Sequence, residues 1–213
     1  MSETDRTVFK EPTVNHSSKG EGTRKAILER AIEVFNVRGY SGTSLNDIMQ
    51  ATGLQKGGIY NHFASKEDLA LEAFDHAFSQ ISDMMRDWLK GTRNGLERLR
   101  AIIQFFHNYF ETPPFHGGCI LLNTAIESDD AHPALCERAQ HAMTLWRDLI
   151  RRTVEKGIGL GEIHATIDSD NVATLIISTL EGAMVLSRLY KNPVHLHRAV
   201  AHLLEYVENN LKV

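Results

Sequence analysis

From about residue 23 onward, apolar side chains keep returning three and four positions apart, with charged and amide residues between them. Ile27, Leu28, Ala31, Ile32 and Phe35 follow this spacing and predict a first helix from about Thr23 to Arg38, with Gly39 as its stop. In the next stretch, "SGTSLNDIMQATGL", Ser44 stands three residues before Asp47. That is a capping box with Asp in the usual Glu place, so a short second helix is predicted over about Leu45 to Thr52, ending at Gly53. A third short helix is predicted over about Gln55 to Phe63. Leu45, Ile48, Leu54, Ile59 and Phe63 supply a small core, which leaves Gln55, Lys56 and Tyr60 on another face.

Ser65 precedes a long helix with Lys66, Glu67 and Asp68 in its first turn, and the predicted apolar stripe is Leu71, Phe74, Phe78, Ile81, Met85 and Trp88. Further helices are predicted over about 94–111, 117–128, 132–156, 168–190 and 194–212. The breaks between them, "GTRNG", "TPPFHGG", "SDDAHP", "GIGLGEIHATIDSD" and "KNP", all carry turn or breaker residues. No strand pattern and no repeat stands out. The predicted fold class is therefore all-α, about nine helices. Its organisation is a polar tail over 1–22, expected to be mobile, a three-helix unit over 23–68 and a larger helical part over 69–213.

Composition adds little until it is divided along the chain. With 42% hydrophobic and 23% charged residues it is ordinary for a globular protein, and no run of about 18 apolar residues predicts a membrane span. The two cysteines, Cys119 and Cys136, make no disulfide framework and fit a reducing cytoplasm. The net charge of −4 argues against a nucleic-acid partner at first sight. Residues 1–66, however, carry nine Lys/Arg against seven Asp/Glu, whereas 67–213 carry fourteen against twenty. The basic excess thus falls on the end with the three short helices, where charge distribution matters more than the sum.

Three short helices with a glycine turn between the second and third read as a helix-turn-helix. The third contains adjacent Gly57 and Gly58, although each glycine inside a helix costs roughly 1 kcal/mol relative to alanine. A missing side chain lets another backbone come close. Lys56 can meet a phosphate or a guanine edge, Tyr60 a phosphate or a thymine methyl, and His62 and Lys66 the flanking backbone. An ordinary amphipathic helix accounts for Leu54, Ile59 and Phe63 but not for the glycine pair.

These residues also carry a resemblance. "A-x-x-x-F-x-x-x-G-Y" (Ala31 to Tyr40), "T-S-L-N-D-I" (Thr43 to Ile48) and "A-T-G-L-Q-K-G-G-I-Y-N-H-F-A-S-K-E-D-L" (Ala51 to Leu69) resemble the DNA-binding domain of the TetR family of transcriptional regulators. Gln55 stands where the family often has serine, and Gly58 where it often has a small residue with a Cβ. Both bear on base preference rather than on the fold. The resemblance implies a helical, non-enzymatic regulator with a small N-terminal domain on double-stranded operator DNA. It also implies a larger domain that binds a small-molecule effector and forms a homodimer through the last two helices. Carried over, the DNA contacts are Thr43, Gln55, Lys56, Gly57, Tyr60, Asn61, His62 and Lys66, with Thr43 at a phosphate.

The C-terminal helices point to a dimer on their own terms. "NVATLIISTLEGAMVLSRLY" (171–190) is apolar almost all round, and Val200, Leu203, Leu204, Val207 and Leu211 line one side of the last helix. A two-fold pair would set two recognition helices about 34 Å apart on a palindromic operator. Phe105, Phe106, Tyr109 and Phe110, together with Cys119, Asn123, Glu127 and Trp146, are candidate effector-pocket residues; for any single aromatic, core packing is the simpler role. Cys119 follows two glycines at a predicted helix start, a position that lowers a thiol pKa, so a redox- or electrophile-sensing regulator is an alternative. Packing as an inert thiol is the commoner fate of a free cysteine. An activator is the other alternative, and a helical enzyme is a third reading, for which no nucleophile–base pair is found.

Gly157, Gly159 and Gly161 follow a helical stretch rather than the strand a dinucleotide fingerprint needs. His195, His197 and His202, or His132, Cys136 and His141, complete no standard zinc spacing. No metal or cofactor is expected. The sequence reading is a cytoplasmic, ligand-responsive repressor.

Overall fold

The protein is described by a computed structural model over residues 17–128 and 131–213. Nine α-helices lie in the described residues: α1 Ser17–Arg38, α2 Leu45–Thr52, α3 Lys56–Tyr60, α4 Lys66–Trp88, α5 Gly95–Glu111, α6 Ile120–Ser128, α7 Pro133–Gly159, α8 Ser169–Leu189 and α9 Val194–Tyr206. A π-helical turn, Val207–Leu211, closes the chain, and no named strand occurs among these residues. The architecture is all-α, as expected. Helix α1 starts at Ser17, so residues 17–22 are helical and not part of a tail. The remainder of that predicted tail, 1–16, lies outside the described residues.

Local chemistry sets the helix starts. Ser44 and Asp47 form the reciprocal capping box at α2. Ser65 accepts from Asp68 N at α4, Asn94 from Glu97 N at α5, and Asp168 from Asp170 N and Asn171 N at α8. The glycine-rich stretch that ends α7 serves the fold: a Cβ on Gly95 would meet the Gly157 backbone at 2.6 Å, and just beyond α7 Glu162 places a carboxylate oxygen 2.8 Å from Gly95 N at the start of α5.

Helices α1, α2 and α3 pack into a small unit on α4, which runs on to α5, α6 and α7. Helices α7, α8 and α9 form the far layer, with α5 between α7 and α9. A single buried cluster runs from Ile27 in α1 to Leu211 at the C-terminal end. The buried stripe of α4 is Leu69, Ala70, Ala73, Phe74, Ala77, Ile81 and Met85. This differs from the prediction. Three alanines let neighbouring helices close on α4, and they turn its inner face away from Leu71 and from Trp88. Trp88 is exposed and donates its indole N–H to Ala101 O at 2.9 Å. The last helix is shorter than predicted because the chain turns at Val207 and is pinned back: His164 N donates to Leu211 O at 2.9 Å and Val213 N to Glu162 O at 3.1 Å.

Helix α8 is long and apolar enough to cross a membrane by length and composition, with a mean hydropathy of 1.5 over its best window. Half of that window is buried against α7 and α9, the arrangement of a core helix. Its other side exposes Leu175, Val185, Leu186 and Leu189.

Candidate DNA-recognition face and its link to the helical core

Ile48, Ile59 and Phe63 are buried and anchor α2 and α3, while Leu45 and Leu54 are half-buried against the same core. Gly53 ends α2 in the left-handed conformation and turns the chain into α3. What remains outside is a contiguous face: Gln55, Lys56, Gly57, Tyr60 and Asn61 are exposed and His62 is half-buried beside them. Lys56 Nζ lies 5.7 Å from the centre of the Tyr60 ring, so charge and aromatic surface sit together.

The glycine pair has no intramolecular cause. A Cβ on Gly57 would meet nothing within 4 Å, and a Cβ on Gly58 would make an ordinary contact with Leu54 at 3.5 Å. Neither has a positive φ. The free chain would accept alanine at both positions, so nothing within the fold requires the missing side chain at Gly57.

Two predicted contacts sit differently. Thr43 is buried at 2% exposure and its hydroxyl donates to Gly39 O at 2.6 Å, which ties down the turn before α2. Lys66 is half-buried. Its ammonium donates to Tyr40 O at 2.6 Å and lies 4.2 Å over the Tyr40 ring. Burial pulls its pKa below the usual lysine value, against the opposing influence of Glu127 and Asp47. In this conformation both residues brace the turn over 39–44 and neither reaches outward.

That turn is latched to α6. The Glu127 carboxylate accepts from Tyr40 N and Ser41 N, each at 2.7 Å. Gly39 lies so close, with φ 76°, that a Cβ there would meet the Glu127 carboxylate at 2.7 Å. His132 completes the contact, with its ring edge-on to Tyr40 at 4.5 Å and Nε2 2.8 Å from Ser41 Oγ. One turn earlier on α6, Asn123 donates to Asn36 Oδ1 and Gly117 O, both at 2.9 Å. Asn36, buried on α1, donates in turn to His116 O at 2.6 Å and Gly118 O at 3.1 Å. Gly117 has φ 108°, and a Cβ on it would strike Asn36 O at 2.5 Å. Asn123 and Glu127 therefore border a cavity of about 30 Å³ between α1, α4, α6 and α7, room for a water molecule or two.

The candidate pocket aromatics do not line that cavity. Phe105, Phe106 and Tyr109 are buried in the core, Trp146 stacks edge-on to Phe106 at 5.2 Å, and Phe110 is half-buried against the same cluster. The phenol of Tyr109 faces Gly118 O at 3.4 Å, and burial raises its pKa. Cys119 and Asn123 instead meet a groove of about 350 Å³ between α6 and α8, walled by Leu122, Met184, Val185 and Leu189 and flanked by Glu181 and Arg188.

Cys119 does not have the expected lowered thiol pKa. It is buried and stands just before α6, where burial and the neighbouring Glu181 carboxylate push its pKa well up. Its S–H donates to Glu181 Oε1 at 3.1 Å. A reactive thiolate needs the opposite surroundings, so the thiol-sensor alternative loses its basis.

Glu181 Oε2 is buried and has no hydrogen-bond partner among the described residues. Burial raises the Glu181 pKa above the ordinary carboxylate value, with the Cys119 hydrogen bond pulling the other way. The unfolded chain releases this proton near the ordinary Glu pKa, about 4.3. Between that value and the raised one the folded state holds the extra proton, so stability falls as pH rises through the window. Glu181→Gln is expected to raise stability by about 1–2 kcal/mol near pH 8 and to change it little near pH 4. Thermal melts at the two pH values check this; equal effects at both would contradict it.

Comparison with known proteins decides the family. Residues 95–203 match the model "Tetracyclin repressor-like, C-terminal domain", and residues 27–73 match "Bacterial regulatory proteins, tetR family". The chain belongs to the TetR family. It is similar to the crystal structure of a TetR transcriptional regulator from Chloroflexus aurantiacus, at 45% identity and TM-score 0.89 over 92% of this chain and 98% of that one. It is similar to the HTH-type transcriptional regulator LmrA of Bacillus subtilis, at 27% identity over 86% of this chain and 97% of that protein. It also resembles a cysteine-substituted TetR-family regulator, CifR, solved with 26-base-pair operator DNA, at 26% identity and TM-score 0.77 over 85% and 94% of the two chains. This TetR-family chain is accordingly a DNA-binding transcriptional regulator and not an enzyme.

Within this TetR-family frame, several residues that shape the site were missed by the sequence reading. Asn36, Tyr40 and His132 form the contact between the helix-turn-helix unit and α6, and Glu181 sits buried beside Cys119. Tyr40 was visible only as part of a motif, and Asn36 carried no signal at all. A buried asparagine 87 positions from its partner Asn123 has no local signature.

Proposed function

We propose that the chain is an effector-released repressor that holds a palindromic operator as a homodimer in the cytoplasm. In this reading residues 23–68 form the DNA-binding domain and 69–213 the effector-binding and dimerisation domain. Gln55, Lys56, Gly57, Tyr60 and Asn61 enter the major groove and His62 meets the flanking backbone. The observation that carries it is the exposed α3 face, where Gly57 lacks a side chain that its own fold would tolerate.

The effector is proposed to enter the groove between α6 and α8. Its volume falls in the range of small-molecule sites, and it combines apolar walls with a few polar groups, Asn123, Glu181 and Arg188. A ligand there presses on α6, whose other side carries the Glu127 latch to Tyr40 and Ser41. Shifting α6 would release the helix-turn-helix unit from its DNA-competent position. The ligand acts only to the extent that it favours the released state.

The test is a fluorescence-anisotropy titration of the full chain with duplex DNA flanking its own gene, run at several salt concentrations. Lys56→Ala is expected to weaken binding and to reduce the salt slope by about one, as loss of one phosphate contact requires. Native affinity and slope in Lys56→Ala would remove the α3 face from the DNA interface.

A further inference from the structure

The fold assembles a group of metal-ligand type that no spacing in the sequence announces. His107 and Glu111 lie one turn apart on the last turns of α5, and His197 lies on the first turns of α9. Glu111 and His197 are exposed and His107 is half-buried beside them, and their ligand atoms all fall within 4.8 Å of one another. His197 Nε2 stands 3.3 Å from Glu111 Oε1, and the His107 and His197 rings are 4.8 Å apart between centres.

Zinc binds His nitrogen at about 2.0–2.1 Å and carboxylate oxygen at about 2.0–2.2 Å, so two ligands at a tetrahedral angle stand roughly 3.3–3.5 Å apart. The Glu111–His197 distance already matches one edge of that tetrahedron. The other separations, none above 4.8 Å, reach that edge length by at most about 1.4 Å of side-chain movement, which rotation of the His197 and Glu111 side chains can supply. A plain His–Glu hydrogen bond explains His197 and Glu111. It leaves unexplained a second imidazole held beside a carboxylate that the first already engages.

We propose that His107, Glu111 and His197 bind a divalent transition-metal ion of the zinc class. Two imidazoles and one carboxylate suit Zn²⁺, Ni²⁺ or Cu²⁺ better than Mg²⁺ or Ca²⁺, which prefer oxygen ligands alone. Three protein ligands leave further coordination positions for water or an exogenous ligand. The ion ties the end of α5 to α9. The loop that follows α5 supports α1 through His116 O and Gly118 O on Asn36, so the clamp also stiffens the mount of the DNA-binding helices. The histidine sets considered from sequence do not assemble: His195 stacks on Tyr190 and His132 is engaged at Tyr40 and Ser41.

The experiment uses the untagged full chain, calorimetric titration with Zn²⁺ and the visible absorption of Co²⁺ as a second probe. One ion per chain is expected, with low-coordinate Co²⁺ bands. His107→Gln and His197→Gln should each weaken binding by roughly tenfold or more, and the double variant should lose it. A His195→Gln/His202→Gln control should bind as the wild type does. Zn²⁺ should raise the melting temperature of the wild type and not that of the double variant, which without metal melts as the wild type does. Absence of a bound ion, or unchanged affinity in the double variant, overturns the proposal whatever the DNA measurements show.

Discussion

Gly57→Leu is expected to lower operator affinity by roughly 10- to 100-fold without destabilising the protein. The two halves of that expectation have different causes. In the free chain a Cβ at this position meets nothing within 4 Å, and the backbone is not in the left-handed region, so a side chain there is unstrained. Replacing a glycine in such a position removes freedom from the unfolded chain and stabilises by about 0.4–1 kcal/mol. Against the DNA the sign reverses. If α3 is seated in the major groove with Gly57 toward the backbone, a leucine overfills a close contact and costs about 1–3 kcal/mol. Gly57→Ala should lie between the two, with stability raised and affinity reduced by a smaller factor. Thermal melts and anisotropy titrations on the same samples separate the effects. Native affinity in Gly57→Leu would mean that α3 does not approach DNA at this point.

Leu175→Glu with Leu186→Glu is expected to split the proposed homodimer and to cost about a hundred- to ten-thousand-fold in operator affinity. Both side chains stand on the outer side of α8, at 40% and 43% exposure, outside the lining of the α6–α8 groove, and continue the apolar stripe of Val185 and Leu189. Such an apolar stripe on a surface is the mark of a partner. In the monomer two added carboxylates meet water and leave the core untouched. In a two-fold interface each would meet its own copy and lose solvent, a like-charge and desolvation cost that the stripe cannot absorb. The large loss of affinity follows from geometry rather than from contacts with DNA. A monomer carries one recognition helix and forfeits the second half-site, which a dimer engages intramolecularly. Light scattering gives the mass, and binding to a single half-site should stay near its native value. A double variant that remains dimeric would place the interface elsewhere.

Legibility in the sequence followed the range of the forces involved. The capping box of Ser44 and Asp47, the αL stop at Gly53 and the Ser65 cap are local, and they place α2 and α4 close to their predicted ends. The core of the helix-turn-helix was legible because Leu45 and Ile48 stand three apart in α2 and Ile59 and Phe63 four apart, although α3 ends at Tyr60 and Phe63 lies beyond it. The α4 stripe was legible at Phe74, Ile81 and Met85 and missed at Ala70, Ala73 and Ala77, because periodicity weights large residues. Lys66 looked like a backbone contact because it is basic and near the recognition helix. Its partner, Tyr40 O, is 26 residues away.

The sequence by itself determined the helices, their order and the outward set on α3, because each depends on residues within one or two turns. Only the tertiary structure decided which polar groups are spent internally. It turned Thr43 and Lys66 into braces, made Glu127 a latch on Tyr40 and Ser41, buried Cys119 beside Glu181, and brought His197 to His107 and Glu111. The physical reason is that a hydrogen bond or a shift in pKa depends on distance in space and on excluded water. Neither is defined until segments dozens of residues apart have packed.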